Sequence, residues 1–232
     1  MQLLKKSLDH LSHLFYPHIC TGCGSDLIAN TEQLCLHCVN DLPVTNFFGA
    51  PGNPVEHIFY GRIPVVQAAA GYFFTKESLL QHLILQLKYR GNQDIGFYFG
   101  KLVGQLMLAN DAFTLVDAMV PLPINPRREK MRGYNQATAI CNGIAFVTNV
   151  PVIDKVVVRK IYTETQTHMG RINRWENMDG VFKVKDETML QGKHLLLVDD
   201  VVTTGATLEA CGAEILKVPG TSLSIATLAY TI

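Results

Sequence analysis

Leu195-Leu196-Leu197-Val198-Asp199-Asp200-Val201-Val202-Thr203-Thr204-Gly205-Ala206-Thr207-Leu208 is the stretch on which the reading of this chain turns. Four apolar residues in a row predict a short buried strand over 195–198. Two carboxylates follow at its C-terminal end, and a Thr/Gly turn then opens a helix predicted over 206–217. In open α/β sheets, ligands bind outside the carboxyl ends of the strands. The first turn of a helix leaves N–H groups free, and the helix dipole favours an anion there. Gly205 allows close approach of backbone to a phosphate. Thr203, Thr204 and Thr207 add hydroxyl donors. Adjacent carboxylates suit ribose hydroxyls, which donate hydrogen bonds, or Mg²⁺ held through water. A Walker A loop needs Gly-x4-Gly-Lys-Ser/Thr, and no such run occurs.

Outward from this loop, strand-like and helix-like patterns alternate. Strands are predicted over 65–74, 115–121, 156–159, 181–184 and 223–228, and helices over 78–88, 95–110 and 134–148. Such alternation predicts an α/β fold, a mostly parallel sheet with helices on both faces. The segment 160–179 is polar and lacks periodicity. It carries Gln166, Arg171 and Arg174, and has the character of an active-site lid. The segment 46–64 is rich in Pro and Gly and reads as a linker. Residues 1–16 place Leu3, Leu4, Leu8, Leu11, Leu14 and Phe15 at helical spacing with Lys5, Lys6 and Asp9 between them. That is an amphipathic helix rather than an unbroken signal-peptide core. The organisation expected is therefore 1–45 as an N-terminal helix plus cysteine segment, 46–64 as linker and 65–232 as the catalytic-type domain.

The cysteine segment has its own grammar. Cys20-x2-Cys23-x11-Cys35-x2-Cys38 has the form of a closed four-thiolate Zn²⁺ site. A segment of about 30 residues builds little core by itself, and a structural metal supplies what the core lacks. Cys141 and Cys211 stand alone in helical patterns and read as small core residues.

Composition narrows the setting. The chain has 232 residues, 48% hydrophobic, with 20 Lys+Arg against 20 Asp+Glu. A net charge of zero gives no global pull toward nucleic acid or membrane, so any anion site must come from a local cluster. No run approaches the ~20 apolar residues of a membrane span, and a cytoplasmic protein is expected.

Three further blocks extend the pattern. Val120-Pro121-Leu122-Pro123 leads to Arg127-Arg128, Lys130 and then Arg132-Gly133-Tyr134-Asn135-Gln136-Ala137. Leu87-Lys88-Tyr89-Arg90-Gly91 comes earlier, and Arg159…Thr163…Gln166…Arg174 later. Together with the acid loop and Cys-x2-Cys, these resemble the ComF (competence protein F, GntX-like) family of type I phosphoribosyltransferases over essentially the whole chain. Lys130, Met169 and Val181 stand where that family often has Arg, Leu and Ala.

The resemblance implies that Asp199 and Asp200 meet the ribose hydroxyls of phosphoribosyl pyrophosphate (PRPP), and that 201–207 hold its phosphate through Val201, Val202, Thr203, Thr204, Gly205, Ala206 and Thr207. Arg128, Lys130 and Arg132 would face the pyrophosphate, since guanidinium forks suit phosphate. Tyr134, Asn135 and Gln136 would open a further helical anion site. Gln166, Arg171 and Arg174 would close over it. Mg²⁺ would accompany PRPP, and structural Zn²⁺ the four cysteines. The implied reaction is displacement of pyrophosphate by an acceptor that the sequence does not identify. Arg128, Arg132, Asp199 and Asp200 are the candidate catalytic residues. The family also implies a link to DNA uptake and the competence machinery. The interleaved charge and aromatics of Lys88-Tyr89-Arg90 and Arg132-Gly133-Tyr134 make single-stranded DNA the rival ligand. Homodimerisation, salvage of a nucleobase and an amidophosphoribosyltransferase role stay open as lesser readings.

Overall fold

The computed structural model describes residues 18–29, 31–111, 113–160 and 180–232. The expected N-terminal helix and the segment bearing Gln166, Arg171 and Arg174 lie outside the described residues. The elements follow the chain as α1 (Leu36–Asn40), α2 (Pro54–Phe59), β1 (Ala68–Phe74), α3 (Leu79–Tyr89), α4 (Gln93–Ala109), β2 (Ala118–Pro121), α5 (Pro126–Arg132), α6 (Gln136–Thr148), β3 (Val157–Arg159), β4 (Phe182–Val184), β5 (His194–Val202), α7 (Ala206–Ile215) and β6 (Ser222–Thr231).

β1, β6, β5 and β2 form a parallel sheet in that order. β3 and β4 make a separate antiparallel pair. Alternation along β5 shows why both faces are covered. Leu195 and Leu197 join Leu208, Cys211 and Ile215 of α7 on one side. Leu196 and Val198 join Leu80, Leu83 and Leu87 of α3, Phe99 of α4 and Ile140 and Ile144 of α6 on the other. A strand buried on both faces reads as an unbroken apolar run, as 195–198 does. Cys141 and Cys211 are core residues, fully buried.

α4 and α6 approach each other through glycine. A Cβ added at Gly100 would lie 2.8 Å from Gly143 Cα, and one at Gly143 would lie 2.8 Å from Gly100 Cα. Both backbones therefore touch, and the pair stacks as one slab on the sheet.

Three features depart from the sequence reading. β5 runs to Val202, four residues past the expected end, because Asp199, Val201 and Val202 continue the ladder opposite Thr227, Ala229 and Tyr230. The carboxylates thus sit within a hydrogen-bonded strand. The stretch expected as a linker, 46–64, contains α2, with Val55 and Phe59 fully buried in the core beneath β5 and α7. α5 occupies 126–132, where no helix was expected. No helix among the described residues is long and apolar enough to cross a membrane.

Candidate functional site

All four strands of the sheet run in one direction, so their C-terminal ends share one edge. Asp199, Asp200 and the turn 203–205 lie at that edge. Asp200 is buried, and its Oδ2 lies 2.9 Å from Lys88 Nζ, at the last turn of α3. The approach is close in distance but outside hydrogen-bond geometry, and Oδ2 has no hydrogen-bonding partner among the described residues. The contact is therefore a charge pair that leaves an acceptor lone pair unused. Buried acceptors without donors are uncommon, and a ligand donor is one way to satisfy them. Asp199 Oδ1 accepts the Asp200 N–H at 2.8 Å.

Electrostatics separate the two acids from ordinary carboxylates. Burial first, and the neighbouring Asp200 charge second, push the Asp199 carboxyl up to about 8. The Asp200 N–H, Lys88 and Arg132 pull the other way without overcoming them. In the unfolded chain the same group titrates near the ordinary aspartate value of 3.8. Between these values the folded state keeps a proton that the unfolded state has released. Stability that is fully present below the unfolded value is therefore lost as pH rises toward the folded one. Asp199→Asn removes this titration. Its melting temperature should exceed that of the wild type by more at pH 8.5 than at pH 6, the gap widening by roughly 5 °C after allowance for partial solvent screening. A gap that is constant or shrinks with pH would contradict the assignment.

The turn beyond the acids leaves backbone N–H groups open at the start of α7. Gly205 is the N-cap of α7, with φ 72, and supplies no side-chain cap. The preceding helices α2 to α6 all have an Asn or Ser side chain capping their first turn. In α7 the first backbone bond is Glu209 N–H to Gly205 O, and the N–H groups ahead of it have no backbone acceptor among the described residues. Thr203, Thr204 and Thr207 are exposed around them. A side chain at Gly205 would meet the Phe59 ring at 3.0 Å, besides the cost of the left-handed backbone.

Beside the acids lies a basic cleft of about 510 Å³ lined by Lys88, Tyr89, Arg90, Gly91, Arg128, Met131 and Arg132. The structure thus unites the Leu-Lys-Tyr-Arg block with the Arg-x3-Arg-Gly-Tyr-Asn-Gln block. The tie is Tyr134, buried, whose hydroxyl donates to Leu87 O. Arg132 lies over the Tyr89 ring at 5.9 Å and donates to Gln136 Oε1. Among the described residues, no acidic side chain lines the cleft.

The remaining sequence candidates divide by what they touch. Arg128 faces the cleft, while Lys130 is exposed on α5 outside its lining. Asn135 Oδ1 caps Ala137 N–H at 3.0 Å, and its Nδ2 donates to Leu122 O at 2.9 Å. The start of α6 is thus capped from within, and Tyr134, Asn135 and Gln136 brace the wall of the cleft. Val201 and Val202 pack in the strand, and Val202 is buried. In the sequence reading Lys88 stands only as part of the basic-aromatic block, never as a partner of the acids, and Arg62 is not named. Lys88 had a signal, its place in a basic-aromatic block. Arg62 had none, lying in an apparent linker.

The four cysteine sulfurs all lie within 4.8 Å of one another, and Cys20, Cys35 and Cys38 are buried. Tetrahedral Zn²⁺ at about 2.3 Å from each sulfur requires sulfurs just under 4 Å apart, and Cys23 Sγ and Cys35 Sγ are 3.6 Å apart. The Cys35 N–H donates to Cys20 Sγ at 3.2 Å. Burial would push the Cys20 thiol up, but N–H groups of Cys23, Cys35 and Gly22 outweigh it and bring it to about 6. Burial and the neighbouring thiols push Cys38 up. A dication would resolve that conflict by stabilising all four thiolates. The set fits a structural metal such as zinc.

Residues 131–231 match the phosphoribosyl transferase domain family. The chain is 29% identical to DNA utilization protein YhgH of Salmonella typhi, over 92% of this chain and 91% of that protein. It is 26% identical to competence protein F of Haemophilus influenzae, over 82% of this chain and 74% of that protein. Among solved structures, a glutamine PRPP amidotransferase from Bacillus subtilis aligns with a TM-score of 0.44 at 16% identity, over 62% of this chain. This chain spans only 30% of that enzyme.

Proposed function

We propose, from the premise that this chain is a ComF-family protein carrying a phosphoribosyl transferase domain, that it binds PRPP with Mg²⁺ at the edge formed by β5, α7 and α3. The observation that carries the reading is the pairing of an uncapped, Gly205-led helix start with two adjacent acids, one buried with an unused acceptor. The phosphate of PRPP would take the N–H groups of α7 and the hydroxyls of Thr203, Thr204 and Thr207. The ribose hydroxyls would donate to Asp199 and Asp200. The pyrophosphate would lie toward Arg128, Arg132 and Lys88. Gln166, Arg171 and Arg174 remain assigned to closure over it on sequence grounds alone.

Transfer would break the bond from ribose C1 to the pyrophosphate oxygen while an acceptor forms a new bond at C1. Positive charge then develops on the ring, as in other displacements at sugar C1. Asp199 and Asp200 would hold the ring against that charge, and Arg128 and Arg132 would receive the departing negative charge. Asp199 and Asp200 are the residues that would hold Mg²⁺, a dication that would supply further neutralisation of the leaving group.

The basic cleft favours a second ligand. Tyr89 is 71% exposed amid Lys88, Arg90, Arg128 and Arg132. An exposed ring among cations is the arrangement on which single-stranded nucleic acid stacks. The relatives' names, DNA utilization protein and competence protein, are in keeping with this. A PRPP-binding protein that also handles single-stranded DNA therefore accounts for both features.

Isothermal titration of the zinc-loaded protein with PRPP, with and without Mg²⁺, tests the reading. Micromolar binding that requires Mg²⁺ is expected. Absence of binding to the folded protein would overturn the phosphoribosyl site and leave the nucleic-acid reading to be tested with an oligonucleotide.

A further inference from the structure

We infer that Arg62 is a positioning residue for the phosphate loop, holding the Gly205 N–H aimed at the ligand's phosphate without touching the ligand itself. The inference rests on the phosphoribosyl reading of that loop. Arg62 lies just beyond α2, in the stretch whose composition reads as linker. Its Nη1 donates to Ile58 O at 3.0 Å and to Thr204 O at 2.8 Å. Its Nη2 pairs with Glu209 in the first turn of α7. One guanidinium thus joins α2, the turn after β5 and the start of α7.

The consequence follows from the planarity of the peptide. No cis peptide bond occurs among the described residues. Across a trans peptide the C=O and N–H point in opposite directions. Arg62 grips the carbonyl side of the peptide between Thr204 and Gly205. The Gly205 N–H must therefore face away from Arg62. Thr204 O is also the carbonyl that a regular helix would give to Leu208 N–H, but the first bond here is Glu209 N–H to Gly205 O. The Thr204 carbonyl is thus held by a side chain instead of by the helix. Its neighbour Gly205 sits in the left-handed region at φ 72, and glycine tolerates either sign of φ. Without Arg62, little opposes rotation of that peptide plane. A donor already aimed at its acceptor spends no binding energy on reorientation.

A merely structural or merely electrostatic role predicts different results. The Arg62 side chain is 34% exposed and its partner Glu209 29%. Ion pairs that reach solvent add little to stability, so replacing Arg62 should leave the fold standing. Its charge is answered by Glu209, so the net field on an incoming anion is small. What remains is geometry, and it concerns the ribose-linked phosphate alone.

The test titrates full-length, zinc-loaded wild type, Arg62→Ala and Arg62→Lys with PRPP, ribose 5-phosphate and inorganic pyrophosphate, each with Mg²⁺. In Arg62→Ala the affinities for PRPP and ribose 5-phosphate should fall about tenfold while that for pyrophosphate stays within about twofold. Arg62→Lys should recover only part of the loss, since an ammonium lacks the fork that spans two carbonyls and a carboxylate. Unchanged PRPP affinity in Arg62→Ala overturns the inference. So does an equal loss for all three ligands that Lys restores in full, which would mark a simple charge effect. Should Arg62→Ala fail to fold, Arg62→Lys carries the test: weakened PRPP and ribose 5-phosphate binding with pyrophosphate binding unchanged from wild type supports the inference, and wild-type affinity for all three overturns it. A wild type that binds none of the three would instead overturn the reading of the site.

Discussion

Asp199→Asn combined with Asp200→Asn should weaken Mg²⁺-dependent PRPP binding by at least about 100-fold while leaving the circular dichroism spectrum of the folded protein unchanged. The magnitude follows from the bonds lost. Above about pH 8, where the Asp199 proton has left, each carboxylate accepting a ribose hydroxyl makes a charge-assisted hydrogen bond, and such bonds contribute about 1.5–3 kcal/mol. Losing two of them costs roughly 3 kcal/mol or more, which corresponds to over about 100-fold in affinity. The fold should persist because β5 is held through its backbone, opposite Leu195-to-Val202 partners on β2 and β6. Asn has nearly the volume of Asp, so the buried position at 200 stays filled. Lys88 loses its counter-charge, but its side chain is 25% exposed and keeps contact with water. Removal of the raised Asp199 carboxyl should even stabilise the variant above neutral pH, so lost binding could not be blamed on unfolding. Calorimetry with PRPP and with ribose 5-phosphate separates the contributions. The double variant should retain weak ribose 5-phosphate binding through the α7 cradle. PRPP affinity equal to wild type would mean that the ribose lies elsewhere.

The local chemistry of this loop was readable because it is written in consecutive residues. The apolar run, the acids and the Thr/Gly turn each carry their own signal, and the structure sets them at a strand end, an edge and a helix start. The strand end itself was misplaced. Asp199 and Asp200 have low strand propensity, yet Val201 and Val202 behind them are β-branched and extend the ladder opposite Ala229 and Tyr230. Pairing with a central neighbour overrode local preference. α5 was missed for a different reason. It buries none of its residues, so it has no apolar period to detect. Its capping residues were present all the same: Asn125 as N-cap, Pro126 opening the helix, Glu129 in the first turn and Gly133 closing it. α2 carries the same Asn-Pro opening at Asn53 and Pro54, where the density of Pro and Gly suggested a linker. Arg62 was beyond the reach of pattern altogether. Its partners Thr204 and Glu209 are 142 and 147 residues away, and no local rule links them.

The cysteine cluster leads to the second large effect. On spacing alone it reads as a segment set apart from the 65–232 domain by a linker. Packing argues otherwise. Cys20, Leu34, Cys35, Cys38 and Leu42 belong to the same buried cluster as Leu80, Leu83 and Leu87 of α3. Gln86 of α3 donates to Thr21 O at 3.1 Å, and a Cβ on Gly22 would meet Leu79 Cδ1 at 2.9 Å. The chain leaving the cluster is pinned to the sheet, with Thr45 N–H on Gly71 O at 3.0 Å and Phe73 N–H on Pro43 O at 2.7 Å. α3 in turn carries Lys88 to Asp200. The cysteine cluster, α3 and the acid pair are thus linked by contacts along one short helix. Stripping the metal, or Cys38→Ser, should lower the melting temperature by roughly 10 °C or more, since structural zinc contributes directly to folding. It should also weaken PRPP binding by about three- to tenfold as Lys88 loses its fixed position. Metal content by mass spectrometry, thermal denaturation and PRPP titration on the same samples check all three. A metal-free protein that melts as the loaded one does would show that the thiols pack without a cation. A lowered melting temperature with unchanged PRPP affinity would show that the Tyr134 bond to Leu87 O holds the end of α3 without help from the cysteine cluster.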